Sequence, residues 1–268
     1  LGQPGVMAVP IVVVDAFAVR PFAGNPAAVC VLDAPADEVW MRNWAREMNL
    51  SETAFWHPEG DSWRLRWLTP AVEVDLCGHA TVAATHVLAT EHGVTGPVTY
   101  RTRSGDLIAE ATDGLVTLDF PADPPAPAEP PPGLLDALGA EHPIAVAKGR
   151  TDYVVGLESP AAVAALDPDM TRLRSVPCRG VITTAAGIDG EFDVVSRFFA
   201  PASGVDEDPV TGSAHCTLAP FWADRLATTT LRCRQASARG GVLDVALHGD
   251  RVAITGRAVT VLRGEITG

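Results

Sequence analysis

The chain has 268 residues, 47% of them hydrophobic, with a formal net charge of −13. That is enough length and apolar material for one large domain or two small ones with full cores. The acidic balance argues against nucleic-acid or anionic-membrane partners, whose phosphates need clustered Lys and Arg.

No apolar run reaches the roughly 18 residues that cross a bilayer, and no signal peptide is visible, so a cytoplasmic protein with no membrane partner is expected. The first six residues read as a remnant before a natural start at Met7. Val9 to Phe17, VPIVVVDAF, is a strand by its β-branched run, and Gly24-Asn25-Pro26 follows as a turn. Residues 36–48 carry Val39, Trp40, Trp44 and Met48 near helical spacing. Trp63 to Leu68 alternates as a strand, and an apolar helix runs from about His79 to Glu91, ended by Gly93. Asp113-Gly114 reads as a hairpin turn among short strands.

Pro121 to Gly133 is proline-rich, poor material for helix or sheet, and reads as the boundary between two halves. Beyond it, strands are expected near Tyr153–Leu157, Gly180–Thr184 and Phe192–Phe199, and a helix from about Ser213 to Leu226. Gly240-Gly241 and Gly249-Asp250 mark turns in the tail.

Two stretches repeat one order of features. Arg66-Trp-Leu-Thr-Pro70 leads through an acidic loop to Gly78-His-Ala-Thr81, and Arg197-Phe-Phe-Ala-Pro201 leads likewise to Gly212-Ser-Ala-His215. Each ends in a helix rich in small residues, suited to lie inside a sheet. Duplicated units put a site at their seam. The first N–H groups of each helix have no intrahelical partner and would suit a carboxylate. The plainer alternative is two capped core helices, with Ser213 as an N-cap.

Several residues can carry chemistry. Glu52, in Asn49-Leu-Ser-Glu-Thr-Ala-Phe55, has apolar neighbours that would raise a carboxylate pKa into proton-carrier range; a solvated turn or capping glutamate is the alternative. Asp206-Glu-Asp208 suits a solvated loop or a helix N-terminus. Cys77 precedes a helix, which lowers a thiol pKa and makes it a candidate base, but Thr211 stands at the matching place in the second copy. His79 and His86 share a helix face, with no carboxylate or cysteine to complete a ligand spacing, so no metal is expected. Ser213 near His215 invites a serine-hydrolase reading, but Thr-Gly-Ser-Ala-His is not G-x-S-x-G. Five cysteines (Cys30, Cys77, Cys178, Cys216, Cys233) without a C-x-x-C pair suggest reduced thiols. Phosphate-loop and dinucleotide fingerprints are missing.

Asp15-Ala-Phe-Ala-Val-Arg-Pro-Phe-Ala-Gly-Asn-Pro-Ala-Ala-Val29, NLSETAF, RWLTPAVEVDLCGHAT and RFFAPASGVDEDPVTGSAH, in that order, resemble the phenazine-biosynthesis PhzF-like isomerases, which share the diaminopimelate epimerase fold. The resemblance implies an α/β (α+β) fold of two pseudo-symmetric lobes, each a bent, mostly antiparallel sheet around a central helix, with the site between them. It implies lobes near residues 7–122 and 134–257, a linker at 123–133, and a last strand near 258–266 free to return to the first lobe. It further implies a homodimer, no cofactor, and a cofactor-independent isomerase that moves a proton and double bond within a small carboxylic or amino acid, in a biosynthetic pathway. Glu52 is then the proton carrier, with His79, Asp208 and Ser213 catalytic; Gly78, Gly212, Ser51 and Cys77 contact substrate. Asp15, Asn25 and Pro26 carry over as structural. A cysteine-assisted epimerase or racemase, or a non-catalytic small-molecule binder, is the alternative. Epimerase relatives use paired cysteines, and here only Cys77 is present.

Overall fold

The structure is a computed structural model that describes residues 8–188 and 190–267; the expected start at Met7 lies outside them. The chain divides into two compact units, Leu1–Asp119 with Thr255–Gly268, and Phe120–Ile254.

The Val-rich run forms β1 (Ala8–Ala16), and β2 (Asn25–Val31) returns antiparallel to it. The sequence placed Gly24-Asn25-Pro26 in a turn. Only Gly24 turns, at φ +66°; Asn25 and Pro26 open the strand. Pairing of β2 with β3 (Glu52–Glu59) begins only at Ala27, so the missing N–H of Pro26 breaks no bond on that side. Helix α1 (Glu38–Met48) begins where the Asp37 carboxylate accepts the Trp40 N–H and ends at left-handed Asn49. It buries Met41 and Ala45 with Phe55 and Leu68. Then come β4 (Ser62–Leu68), β5 (Glu73–Val74), α2 (Gly78–His92), β6 (Gly96–Thr102), β7 (Gly105–Thr112) and β8 (Leu115–Pro121). Asp113 and Gly114, both at positive φ, join β7 to β8, the two-residue hairpin expected from the sequence.

The second unit runs β9 (Ala126–Pro127), α3 (Leu134–Leu138), β10 (Ala145–Lys148), β11 (Asp152–Gly156), α4 (Pro160–Ala165), α5 (Met170–Leu173), β12 (Gly180–Ala186), β13 (Val194–Ala200), β14 (Val205–Glu207), α6 (Gly212–Leu226), β15 (Thr230–Gln235) and β16 (Gly241–His248). The last strand is β17 (Arg251–Thr267). The stretch 123–133, expected as a linker, lies in the second unit. It supplies β9, which pairs with β10, and the Ala128 N–H bonds the Val146 carbonyl at 3.1 Å. Prolines are tolerated at so short an edge, where a missing donor breaks no ladder bond.

In the first unit β1–β2 is antiparallel, β2–β3 parallel, β3–β4 antiparallel, β4–β6 parallel and β6–β7 antiparallel. In the second, β10–β11, β11–β12, β12–β13, β13–β15 and β15–β16 alternate in the same way. The repeat seen in the sequence is therefore a repeat of strand pairing. In each copy a very short strand, β5 or β14, precedes the helix. The repeat arginines share a contact: Arg66 grips Glu73 of β5 with Nε at 2.8 Å and Nη2 at 2.6 Å, and Arg197 grips Glu207 of β14 at 2.8 and 3.0 Å. Such forked pairs hold both oxygens of the carboxylate in one plane.

Strand β17 pairs with both β1 and β8, which closes a ring of eight strands, β1, β2, β3, β4, β6, β7, β8 and β17. Helix α2 packs on β1, β2, β3 and β7 and is buried nearly all round. Ala80, Ala83 and Ala84 allow that close fit. Helix α6 is likewise buried and packs on β15 and β16. Its Pro220 cannot donate to Cys216 four residues back; the Asp123 N–H takes that carbonyl instead at 3.0 Å. Among the described residues no helix is long and apolar enough to cross a membrane.

Candidate active site

Glu52 is the first residue of β3, and Cys77 and His79 flank the start of α2. The parallel pairing of β2 with β3 and the packing of α2 beneath them gather these residues. His79 Nε2 lies 3.1 Å from Glu52 Oε2. The contact is close without hydrogen-bond alignment, and both atoms are buried with no other partner. On the other side of the ring, His79 Nδ1 faces Asn25 Nδ2 at 3.1 Å and Cys77 Sγ at 3.6 Å. An amide NH2 only donates, so Nδ1 accepts and the ring proton of neutral His79 belongs on Nε2, toward Glu52.

Burial opposes protonation of His79, yet the negative charges of Cys77, when ionised, and of Glu52 hold its pKa well above the ordinary value. Near neutrality the acting partner is Glu52, because burial first, then the Glu52 charge, push the Cys77 thiol up to about 11. The sequence expected a thiol activated by the helix start; desolvation outweighs the half-charge of the helix end. Cys77 is thus a neutral thiol at working pH.

Within α2 itself, no carboxylate or cysteine completes a ligand spacing with His79 and His86. The fold supplies them from elsewhere: donor atoms of Glu52, Cys77 and His79 all lie within 4.8 Å of one another, a set that could hold a metal ion. The thiol is nearest Nδ1 and the carboxylate nearest Nε2, so the ring stands between them, an arrangement better matched to a proton relay than to one shared ion. His86 takes no part; its Nε2 meets Thr260 Oγ1 at 3.0 Å.

In the second unit, Thr211 rather than Ser213 is the N-cap of α6, and Ser213 is its second residue. Neither Cys77 nor Thr211 closes its helix with a side-chain cap bond. The Ser213–His215 pairing of the hydrolase reading does not form. His215 is fully buried and its Nδ1–H donates to the Thr211 carbonyl at 2.8 Å. Burial lowers its pKa to about 4, so it is neutral. Thr81 holds the matching place in α2, donating to the Cys77 carbonyl at 2.6 Å. Ser213 Oγ instead accepts from Arg179 Nη2 at 3.1 Å.

Asp208 stands two residues before Val210 in the loop between β14 and α6, and its carboxylate accepts from Thr211 Oγ1. Buried Gln235 of β15 fixes the loop: its Nε2 donates to the Asp208 carbonyl at 2.7 Å and its Oε1 accepts the Thr211 N–H at 2.9 Å. Gly78 and Gly212 open their helices, and Ser51 lies half-buried just before β3. The sequence motif implies only a structural role for Asn25, and no motif marks Gln235 or Arg179, yet all three hold residues of the expected site. Asn25 was legible in the Gly-Asn-Pro motif; nothing in the strand pattern marks Gln235.

A family model described as phenazine biosynthesis-like protein (PhzC-PhzF) matches residues 14–264. An uncharacterised isomerase of Halalkalibacterium halodurans is 47% identical over 97% of this chain and 99% of its own. A solved PhzF-family phenazine biosynthesis protein of Enterococcus faecalis superposes with a TM-score of 0.93 at 42% identity, over 97% of this chain and 99% of that one. A predicted epimerase of Pseudomonas aeruginosa, 21% identical, superposes with a TM-score of 0.76 over 96% of this chain and 99% of that one, a likeness of fold.

Proposed function

The chain belongs to the phenazine biosynthesis-like (PhzC-PhzF) family and is an isomerase, and we propose that it shifts a proton, and with it a double bond, within a small carboxylic or amino acid by means of Glu52. The Glu52 carboxylate takes a proton from a carbon activated by the neighbouring unsaturation and carboxylate. The electron pair delocalises, and the Glu52 carboxyl, its proton exchanging with solvent in the interval, protonates a second carbon, so no redox partner is needed. His79, oriented by Asn25, presents Nε2 to Glu52 and stabilises the carboxylate as a base. Asp208 and Ser213 hold polar groups of the substrate, and the uncapped N–H groups at Gly78 and Gly212 suit its carboxylate. Ser51 and Cys77 contact substrate without carrying the proton. A homodimer acting in the cytoplasm on a biosynthetic intermediate completes the reading, supported by the family resemblance.

The observation that carries the proposal is the buried Glu52–His79 contact at 3.1 Å, two titratable atoms otherwise without partners. Hydrogen bonds of this kind commonly tighten only when substrate is bound. The cysteine-assisted reading is disfavoured by the neutral Cys77 thiol and by Thr211 at the matching place. The test is incubation in D2O with a panel of acids bearing an exchangeable C–H: alanine, proline, 2-amino-3-butenoate and cyclohex-1-ene-1-carboxylate. Deuterium at carbon in an unsaturated member supports the proposal. Exchange confined to the α-carbon of alanine or proline points to a racemase, and calorimetric binding without any exchange points to a binder.

A further inference from the structure

Arg179 lies immediately before β12, at the start of α6. A cation there opposes the helix dipole, whose N-terminal end is positive, so helix stability does not explain its place. The structure nonetheless commits several residues to it. Asp152, 1% exposed, takes the guanidinium in a forked pair, Nε to Oδ1 at 2.9 Å and Nη2 to Oδ2. The Phe198 ring lies 5.4 Å beneath it. Gly180 makes room for that ring: a Cβ there would meet Phe198 at 2.3 Å. The side chain remains 40% exposed, and Nη2 also reaches Ser213 Oγ at 3.1 Å.

A guanidinium only donates. Ser213 Oγ therefore accepts from Arg179, and its own proton is left to point elsewhere. A hydroxyl that accepts from a cation is also a stronger donor. We propose that Arg179 is a positioning residue: clamped by Asp152 and Phe198, it makes the Ser213 hydroxyl an obligate donor to an acceptor oxygen of the substrate, of the carboxylate or enolate class. This rests on the assignment of Ser213 to the site made above. Asp152 works behind Arg179 by fixing the plane of the guanidinium, and Lys could supply the charge at this position but not the fork.

Two measurements test it. The first needs no substrate. The thiol introduced by Ser213→Cys reports the field of Arg179 at that atom. Its iodoacetamide reactivity, followed by peptide mass spectrometry so that Cys178 is counted separately, should titrate at least ~1 pH unit below an ordinary thiol near 8.5. Adding Arg179→Gln should raise that titration by ~1 unit or more, and Arg179→Lys should give a smaller rise. Equal titration with and without Arg179 overturns the proposal. The second uses the panel acid that exchanges fastest. Arg179→Gln and Ser213→Ala should each raise KM or lower kcat ~10- to 100-fold, the scale of a charge-assisted hydrogen bond, and the double variant should be no worse than either alone. Independent, multiplying losses overturn the proposal. Should Glu52 prove not to carry the proton, the thiol titration still decides on Arg179 by itself.

Discussion

His215 gives the account a prediction that needs no substrate. It is fully buried in α6, neutral, and its pKa is lowered from 6.5 to about 4 by burial. An unfolded chain takes up a proton at this residue below about 6.5, and the folded chain refuses it until about 4. The contribution of His215 to stability is therefore present above 6.5 and is lost as pH falls from 6.5 toward 4. At about 1.4 kcal/mol per pH unit, the loss amounts to about 3 kcal/mol, a large share of the stability of an ordinary domain. His79 does not blur this window. Its pKa is raised, so its contribution is complete below 6.5 and fades only as pH rises through the folded value. His215→Gln keeps a donor for the Thr211 carbonyl and removes the titration. Urea unfolding at pH 7, 5.5 and 4.5 should show the parent losing about 2 kcal/mol more than the variant between pH 7 and 4.5, most of the full difference. Equal losses in the two proteins would refute the buried, neutral His215 described above.

Cys77→Ser should retain activity to within ~3-fold, because the thiol it replaces, with its pKa at about 11, is not a base at working pH; a loss near ~10³-fold, the scale of an essential base, would revive the epimerase-like mechanism. Gly24→Ala should destabilise by ~2 kcal/mol or more in chemical denaturation, since Gly24 sits at φ +66° and a Cβ would lie 2.1 Å from the Ala16 carbonyl oxygen; a change below ~0.5 kcal/mol would show that the turn leading to Asn25 is not fixed as described. Asn25→Ala should lower wash-in ~10-fold or more, because it leaves Nδ1 of His79 without its amide donor; unchanged wash-in in the folded variant would remove Asn25 from the site.

Much of this was legible in the sequence, for identifiable reasons. The β-branched run of β1, the Gly-ended α2 and the Asp113-Gly114 turn carry their structure in local chemistry. The duplication was legible because it is written twice, and the forked Arg66–Glu73 and Arg197–Glu207 pairs explain why those arginines recur. What could not be read is what depends on distant parts of the chain. Asn25 reaches His79 across 54 residues. Arg179 reaches Ser213 across 34. The state of Cys77 could not be read, because the helix end is visible in sequence and the burial that overrides it is not. Pro121 to Gly133 looked like a linker because composition reports the missing donors and not the edge that tolerates them.

The measurement closest to the central claim is deuterium wash-in by Glu52→Gln, with calorimetry on the same preparation and the panel acid that the parent protein exchanges fastest. The substitution keeps the shape of the side chain beside His79 and removes its capacity to carry a proton. The account predicts a fold and an affinity close to the parent's, with wash-in reduced by ~10²- to 10⁴-fold, the usual worth of a positioned acid–base group. Wash-in at the parent rate in Glu52→Gln would contradict it and assign the proton to another group.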